Sequence, residues 1–385
     1  MSSQMIAKTL QGLEGVLANE LRELGAEHVQ EGCRSVTFSG DKALLYKANF
    51  HCRTALRILL PITEFPATDP DDIYRALSLF DWSRYMNPSM SFVVDTVAHS
   101  NRITHTHFAC HRVKDAIVDF WKRKGDIRPS VNLENPDLYF HLHISQTKAT
   151  LLLDSSGESL HKRGYRVASL ETPLNEVLAA GLILLTGWRG QSHFIDPMCG
   201  SGTFLTEAAM IALNIPPGIF RNSFAFEKWL DFEPELFADI SEDDTNERPF
   251  DFCCYGYDLS PAAVDATKKN VESARLDQYI KVNRRPLQLF ADPPSPAILV
   301  TNPPYGERLK VRDLTEVYAL LGERLKHHFT GGSAWILGYR EECFDQIGLR
   351  PSTKIHVFNG QLPCEFRGYE LFAGSNKDHK TRIAQ

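Results

Sequence analysis

The segment whose residue types and spacing carry the most specific chemistry is Asn302-Pro303-Pro304-Tyr305, which follows the apolar run 297–301. Two prolines stiffen the chain directly after a predicted strand, where open α/β sheets bind ligands. This turn would aim the Asn302 amide oxygen and the Pro303 carbonyl at one point, where two acceptors can hold both hydrogens of an exocyclic amine. Tyr305 would offer a ring on which a planar base can stack. The alternative is a rigid turn in which Asn302 satisfies only local backbone groups.

A glycine-containing loop lies between a second predicted strand, residues 193–195, and a predicted helix, residues 203–213. Gly200 and Gly202 permit a tight turn and close approach to a ligand, and free N–H groups at the helix start favour a carboxylate or a hydroxyl-rich group. The absence of a following lysine and the GxG spacing disfavour a phosphate loop and a dinucleotide fingerprint. A strand–helix turn without a ligand is the alternative. The candidate binding residues are Asp196, Pro197, Gly200, Ser201, Gly202 and Thr203.

A further acid, Asp258, ends the predicted strand 252–257 and precedes Leu259 and a helix-starting Ser-Pro pair. An acid at the end of the second strand of a doubly wound sheet can bind both hydroxyls of a ribose. Asp258 follows Asp196 by 62 residues, far more than the roughly 20 residues typical of dinucleotide folds. The irregular stretch 215–249 accounts for this gap, and its acidic part, 227–244, is expected to be a solvated insertion. Partnering of a helix dipole is the alternative role for Asp258.

The elements that must position these residues alternate regularly after residue 173. Helices are predicted at 174–188, 203–213, 261–275 and 314–329, and strands at 193–195, 252–257, 297–301 and 334–338. This alternation predicts an α/β domain with a mostly parallel sheet covered by helices on both faces. Residues 5–65 predict a small α+β unit of βαβαβ order. Residues 70–165 predict a second α+β region with two helices and three strands.

The composition places few limits on function. A chain of 385 residues with 43% hydrophobic and 23% charged residues is expected to form two or three globular domains. The net charge of −6 argues weakly against a nucleic-acid partner, but local basic clusters matter more than the sum. Eight cysteines without a CxxC pair favour a reducing compartment. No signal peptide or membrane span is predicted, so we expect a cytoplasmic protein with no membrane partner; the oligomeric state carries no sequence signal.

Two basic segments are candidates for RNA contact. The stretch 99–128 is rich in His, Lys and Arg and could follow RNA phosphates, with a solvated helix face as the alternative. The segment 161–166 could clamp RNA between domains or be an exposed linker. The RNA-contact candidates are Arg112, Lys122, Arg123, Lys124, Lys162, Arg163 and Tyr165. The cluster His105, His107, Cys110 and His111 fits no common zinc spacing, so no metal is expected.

Together these segments resemble the class I S-adenosylmethionine-dependent methyltransferases that modify amino groups. The loop 196–203 matches their methionine-moiety loop, Asp258 matches the ribose-binding acid, and 302–305 matches the (N/D)PP(Y/F) catalytic motif. Residues 302–309, 161–166 and 173–176 are similar to THUMP-domain RNA guanine-N2 methyltransferases. The similarity is greatest to the N2-guanine half of the bacterial 23S rRNA enzymes.

This resemblance implies a ferredoxin-like subdomain at 1–66, a THUMP RNA-binding domain at 67–165 and a Rossmann-like methyltransferase domain at 166–385. It also implies S-adenosylmethionine as cofactor, RNA (ribosomal RNA in particular) as partner, and methyl transfer to N2 of a guanosine. The family usually has an acid or amide after the third strand that contacts the adenine. Residues 281–290 contain no Asp at this place, which leaves Gln288 as the candidate.

Other functions remain open at this point. A tRNA guanine-N2 methyltransferase would carry the same motifs, and the NPPY motif also serves DNA adenine-N6 and protein-glutamine methyltransferases. The N-terminal region favours RNA over these last two substrates. A non-enzymatic RNA-binding adaptor with an inactive fold is a further alternative. The presence of Asp196, Gly200, Gly202, Asp258 and Asn302 argues against an inactive fold.

Overall fold

The computed structural model describes residues 2–125, 128–170, 172–291, 293–304 and 311–372, except for the side chains of 311–313. The chain divides into two compact units. Unit 1 contains Met1–Thr9, Ala18–Leu160 and Arg221–Asp243, and unit 2 contains Leu10–Leu17, His161–Phe220 and Asp244–Gln385. The chain therefore returns to unit 1 after unit 2 has begun.

The regular elements follow in chain order. The strands are β1 (Ser3–Lys8), β2 (Glu27–Gly32), β3 (Ser35–Gly40), β4 (Arg57–Pro66), β5 (Phe92–His99), β6 (Leu138–Ser145), β7 (Lys148–Asp154), β8 (His193–Asp196), β9 (Cys254–Asp258), β10 (Ile280–Arg284), β11 (Ala297–Thr301), β12 (Ser333–Gly338), β13 (Thr353–Asn359) and β14 (Leu362–Glu370). The helices are α1 (Glu14–Glu23), α2 (Lys42–His51), α3 (Pro70–Ser78), α4 (Thr106–Gly125), α5 (Glu176–Leu185), α6 (Thr203–Leu213), α7 (Pro234–Ser241), α8 (Pro261–Ser273), α9 (Val311–His328) and α10 (Glu341–Gln346). None of the helices in the described ranges is long and apolar enough to cross a membrane.

Unit 1 is built on one sheet with the strand order β2-β3-β1-β4-β7-β6-β5. Strand β4 pairs with β1 on one side and with β7 on the other, so the two predicted α+β regions share a continuous sheet. Phe140, Leu142 and Ile144 alternate along β6 and pack with residues of α3 and α4 in one apolar core. Strand β2 was not predicted, because its side chains are mostly exposed and lack apolar alternation.

The segment Arg221–Asp243 belongs to unit 1, and the expectation that residues 227–244 form a solvated insertion is wrong for their apolar side chains. Phe226 stacks on Tyr46 of α2 with ring centroids 4.4 Å apart, and Phe237 packs edge-on against the same ring. Lys42 of α2 forms ion pairs with Asp231 and Glu233 at 3.0 and 2.9 Å. The aromatic residues of this acidic stretch thus anchor it, while its carboxylates lie at the surface.

Unit 2 contains the α/β sheet expected from the alternating pattern. Its strand order is β10-β9-β8-β11-β12-β14-β13. The neighbours from β10 to β12 are parallel, and β14 is antiparallel to both β12 and β13. From β8 the chain continues to β9 and β10 on one side of the sheet, and from β11 it continues to β12 on the other side. The strand order therefore reverses between β8 and β11. Open α/β sheets bind ligands at the carboxyl ends of strands at such a switch point.

Candidate active site

The carboxyl ends of β8 and β11 are joined by a buried hydrogen bond. The Thr301 hydroxyl donates to Asp196 Oδ1 at 2.8 Å, and the Met198 N–H donates to the same oxygen at 3.1 Å. Burial, with a smaller contribution from the nearby Asp258, raises the pKa of Asp196 to about 7, although the hydrogen bonds from Thr301 and Met198 oppose this shift. The Asp196 side chain therefore fixes the base of the glycine loop at the switch point.

The glycine loop adopts backbone conformations that only glycine takes readily. Gly200 and Gly202 have φ angles of 56° and 82°, and Gly202 forms the N-cap of α6. A Cβ atom at Gly202 would lie 2.5 Å from Cγ2 of Thr267, which leaves no room for a side chain. Thr267 Oγ1 donates to the Gly200 carbonyl at 2.8 Å. The loop is thus held from α8 as well as by its own turn.

Asp258 meets the glycine loop at the end of β9. Its Oδ2 accepts from the Gly200 N–H at 3.0 Å, and its Oδ1 accepts from the Ser260 N–H at 2.8 Å. Ser260 in turn caps α8. Since each carboxylate oxygen can accept more than one hydrogen bond, Asp258 retains acceptor capacity for two hydroxyl groups.

Two leucines are exposed on the loops that follow β9 and β10. Leu259 is 63% exposed and Leu289 is 65% exposed. The two loops are tied together, because Arg284 Nε donates to the Leu259 carbonyl at 3.1 Å. Leu259 therefore offers apolar surface directly after Asp258 in the chain. Gln288 is exposed in the turn after β10, and its contact with an adenine stays a prediction.

Asn302 follows the last residue of β11. Its Oδ1 is buried and accepts no hydrogen bond from any residue that the structure describes. Pro303 is buried and Pro304 is exposed. A buried acceptor without a partner is unfavourable by about 1–3 kcal/mol, so this oxygen is suited to an N–H group supplied from outside. Tyr305 lies outside the described residues.

Two of the three RNA-contact candidates in segment 161–166 are enclosed by the protein. Arg163 and Tyr165 are each 2% exposed. Arg163 Nε lies 3.4 Å from Glu207 Oε1 of α6, and the Tyr165 hydroxyl donates to the same oxygen at 3.1 Å. The prediction of RNA contact is therefore wrong for these two side chains, because they are enclosed and bind a buried carboxylate. Lys162 is exposed, and its contact with RNA stays a prediction.

The four candidates on α4 differ in their surroundings. Arg112 forms an ion pair with Asp71 at 2.7 Å, and Lys124 lies 3.8 Å from Asp81. Arg123 donates to the Ser78 carbonyl at 2.6 Å, whereas Lys122 is exposed near the end of the helix. Contact with RNA stays a prediction for all four. No group of three metal-ligating side chains occurs among the residues described, the histidines of α4 included.

Several residues that shape the site escaped the sequence analysis. Thr301 was treated only as part of a strand, although its position directly before Asn302 was a usable signal. Thr267 and Asn270 lie one turn apart on α8, and nothing in their local sequence indicates contact with the glycine loop. Asn270 Nδ2 donates to the Ser201 carbonyl at 3.0 Å. Arg166 belongs to the quoted basic segment, but it contacts the same loop rather than a surface partner.

The parallel sheet, its glycine loop at the switch point and the Asn-Pro-Pro turn define a class I methyltransferase domain. Residues 163–367 match the RMKL-like methyltransferase domain, residues 4–59 the RlmL ferredoxin-like domain and residues 67–154 the THUMP domain. The chain therefore belongs to the RMKL-like methyltransferase family, and the predicted α/β fold with an α+β N-terminal region is confirmed.

Similar proteins cover nearly all of the chain. The ribosomal RNA large subunit methyltransferase K/L of Syntrophotalea carbinolica is 38% identical over 96% of this chain and 53% of its own length. The Synechocystis protein slr0064, provisionally named an RNA methyltransferase, is 37% identical over 95% of this chain and 96% of its own length. The crystal structure of SMU.472, complexed with SAH, has a TM-score of 0.85 and 28% identity, covering 97% of this chain and 99% of that one. The chain spans about half the length of the K/L enzyme.

Proposed function

We propose that this chain transfers a methyl group from S-adenosylmethionine to the exocyclic N2 amine of a guanosine in RNA, with 23S ribosomal RNA as the substrate. The observation that carries the proposal is the buried Asn302 Oδ1, which has no hydrogen-bond partner among the described residues. It follows β11 at the switch point of the sheet. The name of the K/L relatives supports a large-subunit ribosomal RNA as substrate.

The residues around the glycine loop fit the cofactor. Asp258 retains acceptor capacity for two ribose hydroxyls, and Leu259 offers an exposed apolar side chain for the adenine. Asp196, Pro197, Gly200, Ser201, Gly202 and Thr203 form the loop that would hold the amino-acid end at the start of α6. The presence of SAH in the similar SMU.472 structure supports this assignment.

The chemistry required of the protein is mainly orientation. S-adenosylmethionine, when bound, supplies a methyl group already activated by its sulfonium. The lone pair of a guanine amine is delocalised into the ring, which makes the amine a poor nucleophile. Hydrogen bonds from this amine to Asn302 Oδ1 and the Pro303 carbonyl would favour tetrahedral geometry and free the lone pair. Correct placement of the two reacting groups would then contribute most of the acceleration.

The N-terminal region would bring the RNA to this site. The match to a THUMP domain and the candidates Arg112, Lys122, Arg123, Lys124 and Lys162 support RNA binding, with Tyr305 as the stacking ring for the target base. The domain limits 1–66, 67–165 and 166–385 are part of this proposal, as is a cytoplasmic place of action. Transfer RNA is the alternative substrate, because its guanine-N2 enzymes share the same motifs.

A product analysis tests the proposal directly. The full chain is incubated with labelled S-adenosylmethionine and with ribosomal RNA and tRNA that lack their methyl groups, and the nucleosides are identified by mass spectrometry. We expect N2-methylguanosine in 23S rRNA. N6-methyladenosine or labelled protein would contradict the guanine assignment, and label in tRNA alone would favour the alternative substrate. No label in any acceptor, with intact cofactor binding, would indicate the RNA-binding adaptor.

A further inference from the structure

Arg166 lies before the methyltransferase sheet in sequence, yet its guanidinium contacts the glycine loop. Its Nη1 donates to Ser201 Oγ at 2.9 Å, and its Nη2 donates to Thr203 Oγ1 at 3.0 Å. Ser201 and Thr203 flank Gly202, the left-handed N-cap of α6. One side chain therefore holds both sides of the turn from which α6 starts.

The orientation of this guanidinium is fixed from the opposite side. Arg166 Nε donates to Glu176 Oε1 at 2.7 Å, and Nη2 also donates to the Leu174 carbonyl at 3.0 Å. The Arg166 and Glu176 side chains are 15% and 7% exposed. Because a guanidinium is planar and presents its donors in a rigid fork, it can satisfy four acceptors in fixed directions, which a lysine ammonium cannot.

A second buried side chain links the same two segments independently. Asn270 Oδ1 accepts from the Val167 and Ala168 N–H groups at 2.9 and 2.8 Å. Its Nδ2 donates to the Ala168 and Ser201 carbonyls at 2.8 and 3.0 Å. The strap, which we define as residues 163–168, is thus tied to the glycine loop at two places. It forms part of the methyltransferase unit rather than a solvated linker.

We propose that Arg166 is a positioning residue for the amino-acid moiety of the cofactor. It holds the Ser201 and Thr203 hydroxyls, and through them the turn whose N–H groups would face that moiety. Asp258 and Leu259, which would hold the nucleoside, lie at the end of a different strand, β9, and neither is among the described hydrogen-bond partners of Arg166. This inference rests on the proposed cofactor site and adds a residue that acts on one end of the ligand only.

Two ligands separate this role from a general effect on folding. S-adenosylhomocysteine contains the amino-acid moiety, and 5′-methylthioadenosine contains the same nucleoside and sulfur without it. We expect Arg166→Lys to weaken S-adenosylhomocysteine binding by about 10- to 100-fold, the loss typical of hydrogen bonds to a charged group. Binding of 5′-methylthioadenosine should be unchanged. Calorimetry measures the first ligand and ligand-observed NMR the second, without RNA or turnover.

Arg163→Lys is the matched control, because Arg163 is a buried arginine of the same strap whose guanidinium binds Glu207 within α6. It should leave the affinity for S-adenosylhomocysteine within about twofold of the wild type. Unchanged binding in Arg166→Lys, equal loss of both ligands, or the same loss in both variants would overturn the inference. If Arg166→Lys does not fold, Glu176→Gln weakens the ion pair that orients Arg166 and leaves the loop residues unchanged, so it should reduce S-adenosylhomocysteine binding without changing that of 5′-methylthioadenosine. Failure of the wild type to bind S-adenosylhomocysteine would instead refute the proposed cofactor.

Discussion

The glycine loop and the Asn-Pro-Pro turn lie at the ends of neighbouring strands but differ in how their polar groups are satisfied. In the loop, Asp196, Asp258 and the Ser201 hydroxyl all take part in hydrogen bonds within the protein. In the turn, the buried Asn302 Oδ1 has no partner within the described ranges. Under the proposed function, this difference corresponds to a cofactor site that is organised before binding and a substrate site that the target amine would complete.

Asn302→Ala should give the largest effect, because it removes the acceptor that we propose to orient the amine. We expect the methylation rate to fall roughly 100- to 1000-fold, the usual loss for one preorganised polar group at a reacting centre. Single-turnover methylation with labelled cofactor measures this rate. Affinity for S-adenosylhomocysteine and thermal stability should be retained, because the side-chain oxygen has no described partner to lose. A folded variant with the wild-type rate, or a large loss of stability, would indicate a purely structural turn.

Asp258→Ala should affect the proposed cofactor site at the glycine loop. It removes the acceptor proposed for the ribose hydroxyls, and it also removes the carboxylate oxygen that accepts a hydrogen bond from the Gly200 N–H. We expect the affinity for S-adenosylhomocysteine to fall by about 100-fold, since two hydrogen bonds to a charged group are lost. Calorimetry in the absence of RNA measures this change. Equal affinity in the variant and the wild type would place the cofactor elsewhere.

Variants of Tyr305 test the proposed binding of the target base beside the Asn-Pro-Pro turn. If its ring stacks on the target base, Tyr305→Ala should weaken productive RNA binding by an amount equivalent to about 1–3 kcal/mol. Tyr305→Phe should be nearly neutral, because the ring stacks without its hydroxyl. The comparison is made on the KM for RNA, with cofactor affinity as the internal control. Similar KM values for RNA in Tyr305→Ala and Tyr305→Phe would contradict the stacking role.

The smallest effect concerns the pH dependence of stability on the cofactor side. Burial raises the pKa of Asp196 to about 7, whereas the pKa of an Asp side chain in an unfolded chain is about 4. The folded state therefore favours the protonated form of Asp196. The stabilisation that results is fully present below about pH 4, and it is lost as the pH rises towards about 7. Asp196→Asn, which keeps an acceptor oxygen, should show a smaller decline of Tm between these pH values. Parallel Tm profiles would contradict this assignment.

Local sequence determined the chemistry of the candidate site. The glycine loop, Asp258 and the Asn-Pro-Pro turn each follow a strand directly, and the predicted limits of α6 and β11 agree with the structure. In a parallel sheet the carboxyl ends of all strands lie at one edge. Residues far apart in sequence were therefore expected near one another once the α/β alternation had been identified.

Only the tertiary structure decided which polar side chains are enclosed. Arg163 and Tyr165 were predicted to contact RNA, but the buried Glu207 binds both. Residues 227–244 were expected to be solvated, but Phe232 and Phe237 pack against Tyr46 of α2. Arg166 and Asn270 lie 104 residues apart in sequence and both bind Ser201. Charge and polarity in a sequence do not indicate burial, because a distant carboxylate or amide can replace water as the hydrogen-bond partner.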